Sequence, residues 1–235
     1  MSDLTLGSLF SGIGGLELGL ERAGCRVIWQ SEIDPYASAV LRRHWPHVPN
    51  LGDITAIDWS TVERPDIICG GYPCPAFSQA ARGRNVAPNL WPWMRAAVAA
   101  LRPRYVVLEN VAAHLGRGFA STLTDLHAIG FDVRWDVVTA CTVGAPHTRR
   151  RLFAVGYPHG DREPVRPVDG EASWLPALSA DDRSRYLPTA DDVGADDGIP
   201  HRVDRLRALG NAVVPQVAEL IGRMIVTSAG QDGGR

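Results

Sequence analysis

Residues 4–32 read LTLGSLFSGIGGLELGLERAGCRVIWQSE, and the order of their parts decides the fold. LTLGSLF (4–10) is a short apolar run that ends in a glycine cluster. Gly15 to Ala23 reads as a helix, with Leu16, Leu18 and Leu20 set among glutamates. CRVIWQSE (25–32) is a second strand, and it closes on an acid. Strand, glycine turn, helix, strand is the first unit of a parallel sheet. The pattern then repeats. Asp34-Pro35 opens a helix that runs to His44. PDIICGG (65–71) is a strand, Leu90 to Leu101 a helix, and RYVVLENV (104–111) a strand. Phe119 to Ile129 is a helix closed by Gly130. FDVRWDVVTA (131–140) and RRLFAVGY (150–157) form a final strand pair. The alternation predicts an α/β fold, a Rossmann-like, doubly wound, mostly parallel sheet. In such sheets ligands sit at the carboxyl ends of the strands. The glycine cluster, Glu32, Pro73-Cys74 and Glu109-Asn110 all fall at such ends.

The chain has 235 residues, enough for one domain or one domain with a small annex. Hydrophobic residues at 45% can fill a core, and charged residues at 21% are too few for a disordered chain. No run of 18 apolar residues predicts a membrane span. The N-terminal MSDLTLGSLF lacks the basic start and apolar stretch of a signal peptide. A cytoplasmic protein without membrane contact is expected. Cys25, Cys69, Cys74 and Cys141 are widely spaced, which argues against a disulfide framework. All 24 basic residues are arginine, against 26 acids, for a net charge of −2. That balance argues against a general nucleic-acid coat protein. It is an average, however. Residues 1–157 carry 15 arginines and 13 acids, whereas residues 158–200 carry 4 and 10, and residues 201–235 carry 5 and 3. The proline-rich acidic block reads as a small loop-rich annex. After it, Val213, Val217, Leu220, Ile221 and Met224 are spaced for one buried helix face that returns to the sheet.

Several residues carry chemistry. Gly12, Gly14 and Gly15 let the backbone turn sharply and approach a ligand, and the helix N-terminus behind them favours negative charge. A plain tight turn is the competing reading. Glu32 at the next strand end can accept both hydroxyls of a ribose, which sharpens the reading to an adenosine-containing cofactor. A solvated strand end is the plainer alternative. Asp53, at the expected end of another short strand, can accept from an exocyclic amine while Ile54 packs on a purine face. Cys74 sits between Pro73 and Pro75 in a glycine/proline loop, an exposed and preorganised place for a nucleophilic thiolate. No second cysteine pair stands at zinc spacing, so no metal is expected. Glu109 ends an apolar strand, where burial would raise its pKa and let it hold a proton near neutrality. Arg149 and Arg151 alternate onto one strand face and suit an anion or a carboxylate. Asn211 in LGNAVVP can face the cofactor pocket.

Taken together these motifs resemble the DNA (cytosine-5)-methyltransferases, in their compact phage or prophage form. FSGIGG (10–15) is similar to that family's first motif, and GGYPCPAFS (70–78) to its Pro-Cys loop. LENV (108–111), HTRRRLF (147–153) and LGNAVVP (209–215) are similar to three further motifs, in the family's order. The resemblance covers about residues 4–157 and 205–226. It implies the S-adenosylmethionine-dependent methyltransferase fold and a catalytic domain made of residues 1–157 and 205–228. A short target-recognition segment, 158–204, and a flexible tail, 229–235, complete the expected organisation. It implies S-adenosyl-L-methionine as cofactor, S-adenosyl-L-homocysteine as product, double-stranded DNA as partner, and no metal. By resemblance Cys74 adds to C6 of a flipped cytosine, Glu109 engages its Watson–Crick edge, and Arg149 and Arg151 hold base and acid. Phe10, Ser11, Gly12, Ile13, Gly14, Gly15, Glu32, Asp53, Ile54, Pro73 and Asn211 are the implied cofactor contacts. Ser78, Arg82 and Arg84 on the Pro-Cys loop, with Arg202 and Arg205, are the implied DNA contacts. The implied role is restriction-modification, phage or orphan methylation.

Three departures stand out. Pro75 replaces a usual Gln, and His147 replaces the Gln of the arginine motif. The segment for target recognition is short and acidic. Either it reads a few bases by itself or a second subunit or partner supplies the reading. A tRNA cytosine methyltransferase and a silent binding module are the alternative functions.

Overall fold

The computed structural model describes residues 4–73, 88–116, 118–144, 149–161, 163–164 and 212–232. In chain order the regular elements are β1 (Thr5–Leu9), α1 (Gly15–Arg22), β2 (Arg26–Ser31), α2 (Pro35–His44) and β3 (Ile67–Gly70). They continue as α3 (Trp91–Leu101), β4 (Tyr105–Val111), α4 (Phe119–Ala128), β5 (Phe131–Thr139), β6 (Arg150–Pro158) and α5 (Pro215–Asp232). The six strands form one sheet in the order β2-β1-β3-β4-β6-β5. The first four run parallel, while β6 is antiparallel to both β4 and β5. The chain steps from β1 outward to β2, then crosses back to β3. That reversal opens a crevice at the carboxyl ends of β1 and β3, where such sheets bind ligands.

Apolar side chains on β4 alternate between the two faces of the sheet. Tyr105 and Val107 pack with Leu6, Leu16, Leu20, Ile221 and Ile225, under α1 and α5. Val106 and Leu108 pack with Ile68, Met94, Val98 and Leu126, under α3 and α4. Helix α2 starts where Asp34 Oδ1 accepts from Ala37 N–H (3.0 Å) and Pro35 presets the first turn. Helices α1 and α5 touch through glycines. A Cβ at Gly222 would stand 2.6 Å from Ala23 Cβ, and one at Gly19 would run into the Pro215–Ala218 turn. This contact returns the chain's C-terminal helix to the sheet, as its apolar spacing predicts.

In α1 the acid Glu17 is fully buried while Leu18 is 37% exposed, and two expectations elsewhere need correction. At 3.6 residues per turn, Glu17 shares the inward face with Leu16 and Leu20, and Leu18 points away. No strand leads into Asp53. Only an isolated bridge joins Gln30 and Asn50, after which Gly52 (φ 75) turns the chain into a 3-10 turn at Ile54–Ala56. There two backbone bonds, Gln30 N–H to Pro49 O (2.9 Å) and Leu51 N–H to Gln30 O (2.7 Å), hold the chain together with the Asn50 side chain, which bonds Glu32 N–H, Glu32 O and Gly52 N–H. On α5, Val217 and Ile221 are buried with Ala218 and Ile225, whereas Leu220 and Met224 are only half-buried. Among the described residues no helix is long and apolar enough to cross a membrane.

Candidate active site

A cavity of about 510 Å³ opens at the carboxyl ends of the parallel strands. One half of its wall is the β1–α1 turn. Phe10 adopts φ 55, a left-handed conformation costly for a side-chain-bearing residue. Gly12 (φ 56) and Gly14 (φ 88) continue the turn, and Gly14 N–H closes it onto Ser11 O (3.0 Å). Phe10, Ser11, Gly12, Ile13 and Gly15 line the cavity. Gly14 stands behind them, where a Cβ would collide with the Trp45 ring. A Cβ at Gly12 would meet nothing within 4 Å, so this backbone faces open space.

Glu32 leaves β2 beside that turn. Its Oε2 accepts from Gly12 N–H (2.8 Å) and its Oε1 from Asp34 N–H (2.7 Å). Both carboxylate oxygens are thus held in one orientation on the cavity wall. Asp53 and Ile54 join the same wall. Asp53 Oδ1 takes both the N–H and the hydroxyl of Thr55 (2.9 and 2.8 Å), and these bonds hold its carboxyl below the usual range. Ile54 is buried and offers an apolar floor.

The other half of the wall is charged and deeper. Glu109, on β4, is 7% exposed. Its Oε1 pairs with Arg151 Nε at 3.0 Å, and its Oε2 lies against Gly71, where a Cβ would sit 3.0 Å away. Burial pushes its pKa up to about 7, although Arg151 and Arg149 both pull it down. Burial, with Arg151 close by, lowers the proton affinity of Arg149. Arg149 and Arg151 both line the cavity and Arg150 is exposed, as strand alternation predicts.

Tyr72 and Pro73 carry the chain from β3 along the cavity wall. Asn110 Nδ2 donates to Tyr72 O (3.0 Å). Tyr72 Oη lies 2.6 Å from His114 Nε2 and 2.8 Å from Thr122 Oγ1, all buried, while Trp91 packs on its ring at 5.1 Å. This network fixes the backbone two residues before Cys74. Sequence reasoning missed it, because His114 and Thr122 stand 42 and 50 residues away. It also missed Glu17, whose proton affinity burial raises and the nearby Ser8 and Ser11 moderate. The one available signal was an acid in the inward register of an amphipathic helix.

Cys74, Ser78, Arg82, Arg84, Arg202, Arg205, Asn211 and His147 lie outside the described residues. Cys25, Cys69 and Cys141 are free and buried. Burial pushes the Cys25 thiol up to about 11 and Cys69 well above its ordinary value, the opposite of an activated nucleophile.

Solved structures share this fold. One protein, described as a DNA modification methyltransferase encoded within an E. coli prophage, superposes with a TM-score of 0.69 at 18% identity. The match covers 97% of this chain and 100% of that one. The Entamoeba histolytica methyltransferase EhMeth superposes with a TM-score of 0.64 at 13% identity, over 97% of this chain and 99% of that one. The fold is therefore the α/β sheet of the methyltransferases. In sequence, residues 4–188 match the C-5 cytosine-specific DNA methylase family, and the chain belongs to that family. The type II methyltransferase M.NgoBI of Neisseria gonorrhoeae is 35% identical over 156 residues, 63% of this chain and 49% of that protein. The chain matches about half the length of such relatives.

Proposed function

We propose that this chain transfers a methyl group from S-adenosyl-L-methionine to C5 of a cytosine in double-stranded DNA, releasing S-adenosyl-L-homocysteine. The observation that carries the reading is Glu109. A buried carboxyl titrating near pH 7, paired with Arg151, shares one cavity with a glycine turn and a pinned glutamate.

The cofactor fits what is present. The Gly12 backbone faces open space, the Glu32 carboxylate is oriented for ribose hydroxyls, and Ile54 offers an apolar surface to a purine. Bound there, the cofactor supplies an electrophilic methyl group. Asn211 is assigned to its amino-acid end.

C5 of cytosine is a weak nucleophile, and the chain's residues must change that. The Cys74 thiolate adds to C6, which makes C5 enamine-like and able to attack the methyl carbon. Glu109 in its protonated form donates to N3 and stabilises the charge that collects there. Arg151 fixes the Glu109 carboxyl, and Arg149 helps hold the base. A base removes the C5 proton, the C5–C6 double bond re-forms, and the Cys74 thiolate leaves. None of this is possible within a base stack, so the cytosine is flipped out.

Ser78, Arg82, Arg84, Arg202 and Arg205 are proposed phosphate contacts that position the duplex. Residues 1–157 and 205–228 are proposed as the catalytic body, followed by a tail at 229–235. Residues 158–204 are proposed to read the target, alone or with a second subunit. Bisulfite sequencing of DNA from cells expressing the chain tests the reading and identifies the target. Protected cytosines in one recurring short motif are expected. Methyl transfer to tRNA and not to duplex DNA would move the substrate, and transfer to neither would contradict the proposal.

A further inference from the structure

We propose that His127, Asp132 and His159 bind one divalent ion of the zinc class, at the edge of the sheet opposite the cavity. His127 stands in the last turn of α4, Asp132 near the start of β5, and His159 just beyond the end of β6. The strand ends that line the cavity lie at the other end of β6, by Arg149 and Arg151.

The three side chains already converge. Asp132 Oδ1 lies 3.6 Å from His159 Nε2 and 4.0 Å from His127 Nδ1. One ligand atom from each residue falls within 4.8 Å of the other two. The imidazole centroids are 4.5 Å apart. Tetrahedral zinc, with bonds of about 2.0–2.1 Å, sets neighbouring ligand atoms about 3.4 Å apart. Small side-chain rotations therefore close the site.

The backbones beneath are fixed. Asp132 pairs with Tyr157 in the β5–β6 ladder. His159 N–H donates to Gly130 O (3.0 Å), across the left-handed Gly130 (φ 97) that separates α4 from β5. The C-terminal end of a helix also favours a cation, and Arg102 already donates to Ile129 O there at 3.2 Å.

Two imidazole nitrogens and one carboxylate oxygen select zinc, cobalt or nickel over magnesium or calcium, which prefer all-oxygen sets. Three protein ligands leave a fourth position for water. The ion would tie the end of α4 to the β5–β6 pair. The site uses no cysteine, so it is separate from the cysteine spacing that predicts no zinc.

The test uses the full chain without a polyhistidine tag. Zinc titration by calorimetry should give one saturable site, and zinc should raise the melting temperature. Cobalt should give visible d–d bands without a thiolate charge-transfer band. His127→Ala and His159→Ala should each weaken binding roughly tenfold or more, while unfolding in chelator like the parent chain. Absence of saturable binding, unchanged binding in the double variant, or a thiolate band in the cobalt spectrum would overturn the proposal.

Discussion

The two halves of the cavity wall are built by different physics. On the glycine-turn side, the chain's own backbone makes the wall. Gly12 and Asp34 N–H groups orient Glu32, and a left-handed turn through Phe10, Gly12 and Gly14 sets the wall. On the Glu109 side, buried charge makes the wall, with Glu109 held between desolvation and two arginines. The first half should respond to substitution mainly through geometry and cofactor affinity. The second should respond through protonation and rate.

The largest expected effect is on the charged half. Glu109→Gln should lower single-turnover methyl transfer by roughly 10²–10³-fold, because in the proposed mechanism the acid's proton acts at the transition state. The fold should survive. A loss below tenfold would place the essential proton elsewhere.

The same carboxyl makes stability depend on pH. Its folded pKa of about 7 stands above the ordinary 4.5, so the folded state favours the protonated form. The associated stability is present below pH 4.5 and is lost as pH rises through about 7. The loss amounts to about 3 kcal/mol. Denaturant melts at pH 4.5 and pH 8 should show the parent chain losing that much relative to Glu109→Gln.

Between the two halves lies the Tyr72 anchor. Tyr72→Phe leaves buried His114 and Thr122 without their shared partner and should cost about 1–3 kcal/mol. It should lower kcat more than it raises the KM for cofactor, because it loosens the root of the Cys74 loop. On the backbone-built half, Gly14→Ala forces a left-handed residue against Trp45 and should destabilise by roughly 2 kcal/mol. Asp53→Ala should show the smallest effect, raising the cofactor KM about two- to fivefold with kcat unchanged.

This contrast also explains what could be read from the chain alone. The β1–α1–β2 unit was legible because its signals are local: apolar runs, a glycine cluster and an acid at a strand end. Glu109 was legible because an acid closing an apolar strand must be buried, and burial raises its pKa. The Tyr72–His114–Thr122 network was not, because its members meet only after β3, β4 and α4 are in place. The burial of Glu17 and exposure of Leu18 were not legible, because leucines alternating with glutamates and glycine leave the inward face of the helix undefined. The approach to Asp53 makes a single bridge to β2 before Gly52 turns the chain, and the Asn50 side-chain bonds that help hold it are not encoded in strand propensity. His127, Asp132 and His159 converge across a helix end and two strand ends, with no motif to mark them.

The most direct test is covalent trapping. A duplex carrying 5-fluorocytosine in the target motif blocks proton removal at C5, so an enzyme of this mechanism stays attached after methyl transfer. Incubated with S-adenosyl-L-methionine and analysed by mass spectrometry, the parent chain should gain one DNA adduct on the peptide that contains Cys74. Cys74→Ser should form none. A missing adduct on a duplex that is methylated when it carries cytosine, or an adduct that persists in Cys74→Ser, would contradict the account.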